Sequence, residues 1–367
     1  MIRFLAKGGA LLAAITLAFA LYIKAFPENF SAGSQGLLAA QMEFLERDEK
    51  ERVEPVSVLV LGDSTMAAAL VDPDPTNDRD IRSLAMPSAT MIEACYQFEK
   101  YLKGHVPPRA IMVGGLDHLD RYRRLFWQLY VNFGFYEPAE LDRIDDDCVS
   151  LGDFPMLPPE EVEDSRIPLP ASWRFGLRRR CFEYGFFGGY LDEIQAQLYR
   201  GEKRRHMNRP VHLQVRNDSG LLGMPARATA DPRSRPTTRD LGGLPTTEFL
   251  DREYRPSATL DAHLRQLLES ARERHCLVYW VTTPISPRLL REQPSAEGWL
   301  AAHAAHQRSI LAEFPNTLFL DVPLADADPD RDFFDGLHLS RSGAERWCLG
   351  LRAASAPRLA TWIETGR

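Results

Sequence analysis

Cysteine is scarce in this sequence, and neither basic charge nor long apolar runs dominate it. Five cysteines among 367 residues, with no C-x-x-C pair, exclude a disulfide scaffold and give no sign of a zinc site. Lys and Arg number 44 against 51 Asp and Glu, a net charge of −7, which argues against a general nucleic-acid binder. A mean hydropathy of −0.29 excludes a polytopic membrane protein. The remaining composition, 44% apolar and 26% charged, is that of a folded protein with one large domain or two ordinary ones.

One apolar run stands out, at residues 8–23. It contains no charged residue and follows Arg3 and Lys7, and basic charge on that side favours an N-terminus inside the cell. A helix of that length spans about 24 Å, against about 30 Å of hydrocarbon in a bilayer. We predict that residues 1–26 form an uncleaved signal anchor, which makes this a single-pass protein of the inner membrane with its remaining chain periplasmic. A cleaved signal peptide, with a site at Ala18–Ala20, and a buried core helix are the alternatives.

Beyond this run, two patterns of apolar residues alternate along the chain. Residues 27–55 are polar and are predicted to form a linker helix. After them, short continuous apolar runs indicate strands buried on both faces, and longer segments with helical spacing lie between these runs. Such alternation predicts βαβ units, hence an α/β domain built on a parallel sheet. The predicted strands are 56–61, 110–115, 276–283 and 317–322, and the predicted helices are 65–70, 91–103, 257–274, 296–313 and 343–354.

The alternation is interrupted between residues 119 and 256. This region carries aromatic-rich pieces and a run rich in Pro, Arg and Thr. We predict that it is a large mid-chain insertion, and that its Pro-rich part forms a loop. The α/β domain is therefore predicted in two parts, 56–118 and 257–367.

Two features of the predicted insertion leave alternatives open. The basic, aromatic stretch at 173–216 is either a surface for an anionic polymer, a sugar or lipid head groups, or a set of ordinary solvated helix faces. Cys148 and Cys181 either form a disulfide in an oxidising compartment or are free buried thiols.

Ser64 has the setting of a serine nucleophile. It ends the sequence Gly62-Asp63-Ser64, directly after a predicted buried strand and before a predicted helix. A strand-to-helix turn with a glycine projects the hydroxyl. The first N–H groups of a helix have no partner within it, so they are available to an oxyanion. An ordinary helix cap is the alternative, because Asp and Ser are frequent at that position.

A second group of candidate residues lies near the C-terminus. Asp335 and His338 stand three positions apart in a turn that contains glycine. At that spacing the carboxylate can accept the imidazole Nδ1–H, which leaves Nε2 to take a proton from serine. Ser342 begins a capping-box pattern that ends at Glu345, so a helix is predicted to start there. The alternative for His338 is a surface histidine bonded to its neighbours.

The two blocks together, VLVLGDST and DFFDGLHLSRSGA, resemble the SGNH (GDSL-type) hydrolase superfamily. The resemblance covers the two parts of the predicted α/β domain and not the insertion. It implies a three-layer, flavodoxin-like parallel sheet flanked by helices. It also implies that Ser64 is the nucleophile, His338 the base and Asp335 its partner, with no metal or organic cofactor. The α/β-hydrolase motif G-x-S-x-G is not matched, because Met66 replaces its last glycine.

The other oxyanion donors of the family are where this chain departs from the pattern. The resemblance implies an oxyanion and substrate-binding set that includes a glycine from a second block and an asparagine from a third. In this sequence the set is Gly62, Asp63, Ser88, Gly115 and Asp117, with Ser88 at that glycine place and Asp117 where asparagine is expected. A carboxylate donates no hydrogen bond unless it is protonated, and it repels an oxyanion. Three alternatives follow for Asp117: it is turned away from the oxyanion, it is neutral, or it marks a site with altered chemistry.

A looser resemblance connects the chain with membrane-anchored SGNH-like proteins of alginate O-acetylation and of teichoic-acid D-alanylation. Those proteins combine an N-terminal anchor, degenerate second and third blocks and a long insertion. The resemblance implies a periplasmic serine esterase or O-acyltransferase that acts on an acylated envelope glycopolymer, with a membrane-embedded acyltransferase as partner. The rival hypothesis is a catalytically degenerate scaffold or glycan-binding protein of the envelope.

Overall fold

The structure is a computed structural model, and it describes most of the predicted α/β domain. The predicted anchor, linker helix and insertion lie largely outside the described residues, as do Ser88, Asp117 and Cys181, so their assigned roles stay predictions. The described residues are 7–8, 11, 14–15, 18, 41–42, 44–46, 56–70, 81–86, 89–116, 130, 135–153, 250, 253–333 and 335–365.

The centre of the fold is a sheet of five parallel strands. In chain order they are β1 (Val58–Gly62), β2 (Ile81–Ser83), β3 (Ala110–Gly114), β4 (Leu277–Thr282) and β5 (Thr317–Asp321). Every residue of β1 and β3 is buried, as continuous apolar runs require in a sheet covered on both faces. The spatial order is β2-β1-β3-β4-β5, so the strand order reverses between β1 and β3. Open α/β sheets bind ligands at such a reversal, outside the carboxyl ends of the strands.

Helices alternate with the strands, and side chains at their first turns explain where two of them begin. The helices are α1 (Ser64–Ala69), α2 (Met91–Gly104), α3 (Pro138–Ser150), α4 (Ala258–Glu273), α5 (Pro287–Glu292), α6 (Ser295–Leu311) and α7 (Arg341–Thr365). A capping box precedes α2, in which Thr90 accepts from the helix backbone and Glu93 accepts from the Thr90 N–H. The Ser257 hydroxyl oxygen accepts from the Leu260 N–H at the start of α4.

Two sets of helices flank the sheet. α7 packs against α1 and contacts β4 and β5, whereas α2 packs against α4, and these two contact β1 and β4 respectively. Successive strand residues point to opposite faces. On the face of α1 and α7, Val60, Met112 and Tyr279 are buried with Met66 of α1 and Trp347 of α7. The predicted α/β class with a parallel sheet is therefore confirmed.

Some elements differ from the sequence prediction. β2 was not predicted, because its three residues form an edge strand without a continuous apolar run. The predicted helix at 343–354 lies within α7, but the predicted cap at Ser342 is wrong. α7 begins at Arg341, and the hydroxyl oxygen of Ser340 accepts from the Gly343 N–H at 3.3 Å. The sequence pattern also predicted neither α3 nor α5, which are additional helices.

The chain divides into two compact units. The unit with the sheet comprises Glu43–Tyr122, Ser150–Phe154 and Asp218–Arg367, and the other comprises Met1–Met42, Arg123–Val149 and Pro155–Asn217. In the second unit, Phe135 packs edge-on against Tyr130 and Tyr136, with ring centroids 5.9 and 4.7 Å apart. Among the residues that the structure describes, no helix combines the length and the hydropathy that a membrane span requires.

Candidate active site

The turn that carries Ser64 is formed by close backbone packing at the carboxyl end of β1. Gly62 has a φ of +136°, which favours glycine, and a Cβ there would overlap the carbonyl oxygen of Gly114 on β3. A Cβ on Gly114 would in turn overlap the carbonyl oxygen of Val281 on β4. Three neighbouring strands thus approach too closely for side chains here. The chain turns sharply after Gly62, and Ser64 becomes the first residue of α1.

The structure brings Ser64, His338 and Asp335 together in one hydrogen-bonded series. His338 Nε2 lies 2.8 Å from Ser64 Oγ, and His338 Nδ1 lies 2.8 and 3.0 Å from the two carboxylate oxygens of Asp335. Because an ionised carboxylate only accepts, Nδ1 carries the proton toward Asp335 and Nε2 accepts from the Ser64 hydroxyl. Side chains 274 positions apart thereby form the arrangement that the two sequence blocks predicted.

Asp335 is held as a hydrogen-bond acceptor by its own turn. The backbone N–H groups of Leu337 and His338 both donate to Asp335 Oδ1 at 2.8 Å. Burial acts to raise the pKa of Asp335, but the hydrogen bond and charge of His338, with the two N–H groups, outweigh it and lower that pKa. Asp335 is therefore ionised at neutral pH and can stabilise an imidazolium on His338.

The loop that carries Asp335 and His338 is closed at its base by Asp332, a residue that the sequence analysis did not single out. Its side chain is fully buried, with an exposed fraction of 0%. Asp332 accepts from Arg331 Nε and Nη2 at 2.9 and 3.0 Å, from Arg346 Nη1 at 2.5 Å and from the Asp328 N–H at 2.9 Å. The hydrogen bond from Arg331 is the largest influence on the pKa of Asp332. With the Asp328 N–H and Arg346, it outweighs burial and lowers that pKa to about 2.

Backbone contacts complete the closure of this loop. Phe333 and Leu339 form an antiparallel bridge, and the Ser340 N–H donates to the Asp332 carbonyl oxygen at 2.9 Å. The Ser286 N–H, just before α5, donates to the carbonyl oxygen of Gly336 at 3.0 Å. No pattern in the sequence marks these contacts, because each depends on which segments meet in the fold.

Asp63 makes hydrogen bonds to two separate segments of the chain. Its Oδ1 accepts from the Thr65 N–H at 2.8 Å, from the Thr65 hydroxyl at 2.5 Å and from the Met66 N–H at 3.4 Å, which caps α1. Its Oδ2 accepts from the N–H of Leu116, after β3, at 3.1 Å. With 2% of its surface exposed, Asp63 faces these groups instead of solvent.

Two backbone N–H groups, in the turns after β1 and β3, have no described acceptor and are therefore candidates to bind an oxyanion. Ser64 is the first residue of α1, so its N–H has no partner within the helix. Gly115, with a φ of +152°, lies between β3 and the residue that donates to Asp63. Within the described ranges, no atom accepts a hydrogen bond from the N–H of Ser64 or of Gly115. Of the other predicted donors, Ser88 and Asp117 lie outside these ranges.

The carboxyl end of β4 contributes a further polar contact that the sequence analysis missed. The Thr283 hydroxyl donates to Thr65 Oγ1 at 3.0 Å, and Thr65 donates onward to Asp63. The nucleophile turn is thus hydrogen-bonded to segments that follow both β3 and β4. In the part of the chain that the structure describes, no three or more His, Cys, Asp or Glu side chains form a group that could hold a metal ion.

No protein-family model matches the chain, and no curated protein matches it.

Proposed function

We propose that this protein is a serine esterase or O-acyltransferase of the SGNH type. The strongest support is the series Ser64–His338–Asp335, with 2.8 Å from Ser64 Oγ to His338 Nε2 and 2.8 Å from His338 Nδ1 to Asp335 Oδ2. A hydroxyl, an imidazole and a carboxylate in this order are the parts of a nucleophilic acyl-transfer site. Ser64 also follows the carboxyl end of β1, beside the reversal of strand order where such sheets bind ligands.

The proposed reaction proceeds through an acyl-enzyme. Ser64 Oγ attacks the carbonyl carbon of an ester, and His338 Nε2 takes the hydroxyl proton while Asp335 stabilises the imidazolium. The oxyanion of the tetrahedral intermediate accepts from the Ser64 N–H. Collapse breaks the bond to the alcohol, which leaves with the proton from His338. Water or a sugar hydroxyl then attacks the acyl group, with His338 as base, and Ser64 is restored.

The substrate and the location are part of the same proposal. The apolar run at 8–23 supports a periplasmic protein with an N-terminal anchor, and the looser resemblance supports an acylated glycopolymer as substrate, with a membrane-embedded acyltransferase as partner. We expect the full chain in the membrane fraction, with its N-terminal peptide intact by mass spectrometry. A mature N-terminus after residue 20 would contradict the anchor.

Covalent labelling tests the nucleophile directly. A fluorophosphonate probe should label the full-length protein at one site, because the probe reacts with a serine whose proton a base removes. The Ser64→Ala variant should not be labelled, and peptide mass spectrometry should place the adduct on Ser64. Equal labelling of wild type and variant would exclude Ser64 as the nucleophile.

Turnover of nitrophenyl acetate tests the base. We expect a burst of nitrophenol from wild type and a rate lower by about 10⁶-fold in His338→Ala, the effect known for loss of the histidine of a serine triad. His306→Ala is a matched control. His306 also pairs with an aspartate, Asp261, at 2.9 Å, and its side chain has the same 23% exposed fraction as His338.

The outcomes separate the proposed enzyme from its rival. In His306→Ala the burst should persist, because no described serine hydroxyl contacts that imidazole. If wild type shows neither burst nor labelling but binds a glycopolymer, the non-catalytic scaffold is favoured. If acetyl groups from the nitrophenyl ester appear on an oligosaccharide acceptor, the protein is a transferase; release of acetate alone indicates an esterase.

A further inference from the structure

The two N–H groups without a described acceptor belong to turns that follow different strands. The Ser64 N–H belongs to the turn after β1, and the Gly115 N–H belongs to the turn after β3. Two donors act on one oxyanion only if the separation of their turns is set in advance, because preorganisation is what makes such donors effective. The contact that sets this separation is therefore functionally important.

Asp63 joins these two turns through opposite oxygens of one carboxylate. Oδ1 accepts from Thr65 and Met66 beside the nucleophile, and Oδ2 accepts from the Leu116 N–H at 3.1 Å. Packing supports the contact, since a Cβ added to Gly115 would lie 3.1 Å from Asp63 Cγ. The carboxylate thus lies directly against the backbone of Gly115, and its burial shields these hydrogen bonds from water.

We infer that Asp63 is a positioning residue that holds the Gly115–Leu116 turn beside Ser64, so that the N–H groups of Ser64 and Gly115 form a two-donor oxyanion site. Asp63 touches no reacting atom in this assignment, because both its oxygens are used by the protein backbone and Thr65. The inference rests on the proposed function. It extends that function by assigning the backbone N–H of Gly115, a member of the predicted oxyanion set, as the second donor, and by giving Asp63 a positioning role instead of a binding one.

Substitution of Asp63 by Asn separates its two contacts. Asparagine caps helices as well as aspartate does, so its oxygen should keep the hydrogen bonds to Thr65 and Met66 at the start of α1. Its NH₂ group then faces the Leu116 N–H, and two donors cannot bond to each other. Asp63→Asn should therefore leave α1 intact and release the Gly115 turn.

The test measures ester turnover and transition-state binding in Asp63→Asn. We expect kcat for nitrophenyl acetate to fall by about 10²-fold, as for loss of one oxyanion donor, with KM almost unchanged. Affinity for a trifluoromethyl ketone, whose adduct with Ser64 carries an oxyanion, should fall by a similar factor. The midpoint of the pH profile should stay where wild type has it, because His338 and Asp335 keep their contacts.

Two further variants control for folding. Asp153 is another carboxylate that joins distant segments, since it accepts from the Ser257 hydroxyl at 2.9 Å and from the Thr259 N–H at 2.6 Å. Asp153→Asn should affect thermal stability without the loss of kcat.

Gly115→Ala perturbs the contact between Asp63 and the Gly115 turn from the opposite side. It should reproduce the kcat loss of Asp63→Asn, which keeps the test valid if Asp63→Asn does not fold.

The possible failures are distinguishable. If a folded Asp63→Asn or Gly115→Ala variant has the same kcat as wild type, the positioning role of Asp63 is overturned. The proposed serine mechanism is unaffected by that result. A shifted pH midpoint, or inhibitor affinity that stays at the wild-type value, also overturns the positioning role, because the damage then lies at His338 or elsewhere. If wild type itself is not labelled at Ser64, the proposed function fails and this inference fails with it.

Discussion

The turn that carries Ser64 and the loop that carries His338 are held by different kinds of interaction. Gly62 and Gly114 place the nucleophile turn by backbone contact between strands, where no Cβ fits. The loop from Asp328 to Ser340 is held by a buried carboxylate, Asp332, and by hydrogen bonds between its ends. Close packing of backbone therefore constrains the nucleophile turn in addition to the hydrogen bonds of Asp63, whereas no such steric limit is seen at Asp332, whose charge holds the second region.

This difference shows how two distant segments can meet with the accuracy that proton transfer needs. Steric packing in a sheet interior is insensitive to pH and salt, whereas ion pairs and charged hydrogen bonds respond to both. We expect substitutions in the two regions to have different effects. A small increase in volume should damage the turn that carries Ser64, and a lost charge should damage the loop that carries His338.

The largest expected effect is that of Gly62→Ala on stability. The added Cβ overlaps the Gly114 carbonyl oxygen, and alanine is strained at a φ of +136°. We expect a loss of about 3 kcal/mol in the free energy of unfolding, measured by urea denaturation. Gly298→Ala in α6 is the control, because its Cβ meets no atom within 4 Å and alanine favours a helix. If both variants unfold alike, close packing does not set the nucleophile turn.

A smaller, pH-dependent effect is expected for Asp332→Asn. The pKa of Asp332 in the folded protein, about 2, lies below its ordinary value near 4. The stabilisation from the carboxylate is therefore present above pH 4 and is lost as the pH falls toward 2. We expect the variant to lose about 1 kcal/mol at pH 7, since the partner arginines are partly exposed to screening solvent, and to show a flatter Tm profile between pH 4 and 2.

The control for this profile is Asp326→Asn in the same acidic segment. Asp326 is exposed, and asparagine tolerates its φ of 51°. The Asp326→Asn variant should show the same dependence of Tm on pH as wild type. If the Tm of Asp332→Asn falls between pH 4 and 2 as steeply as that of wild type, this carboxylate does not hold the loop that carries His338.

The smallest expected effect is that of Arg288→Ala at the same loop. Arg288 forms an ion pair with Asp330 at 2.5 Å, but the side chains are 50% and 57% exposed. Exposed pairs contribute little, so we expect a loss below about 0.5 kcal/mol by urea denaturation and no change in ester turnover. A loss comparable to that of Asp332→Asn would mean that exposed charges hold the loop as strongly as the buried one.

Much of the fold could be predicted because most strands are buried on both faces. The predicted strands at 56–61 and 110–115 overlap β1 and β3 with small boundary shifts. β2 escaped prediction because an edge strand of three residues has no continuous apolar run. Ser340 takes the capping position expected of Ser342, and its hydroxyl also donates to the Arg331 carbonyl oxygen, a contact that no local pattern marks.

The candidate site could be predicted only in part. Ser64, Asp335 and His338 were visible because their residue types and their places after a strand and before a helix suit acyl transfer. Asp332 and Thr283 were not visible, since an aspartate and a threonine carry no signal until their partners are known.

The amino-acid sequence by itself determined the alternation of strands and helices, and it marked the hydroxyl, imidazole and carboxylate, because apolar runs and local turns depend on neighbouring residues. Only the tertiary structure decided that the Asp63 carboxylate faces the Leu116 N–H and that Asp332 is buried between two arginines. The physical reason is that a hydrogen bond or an ion pair exists only where two segments meet, and the packing of the whole sheet sets where that happens.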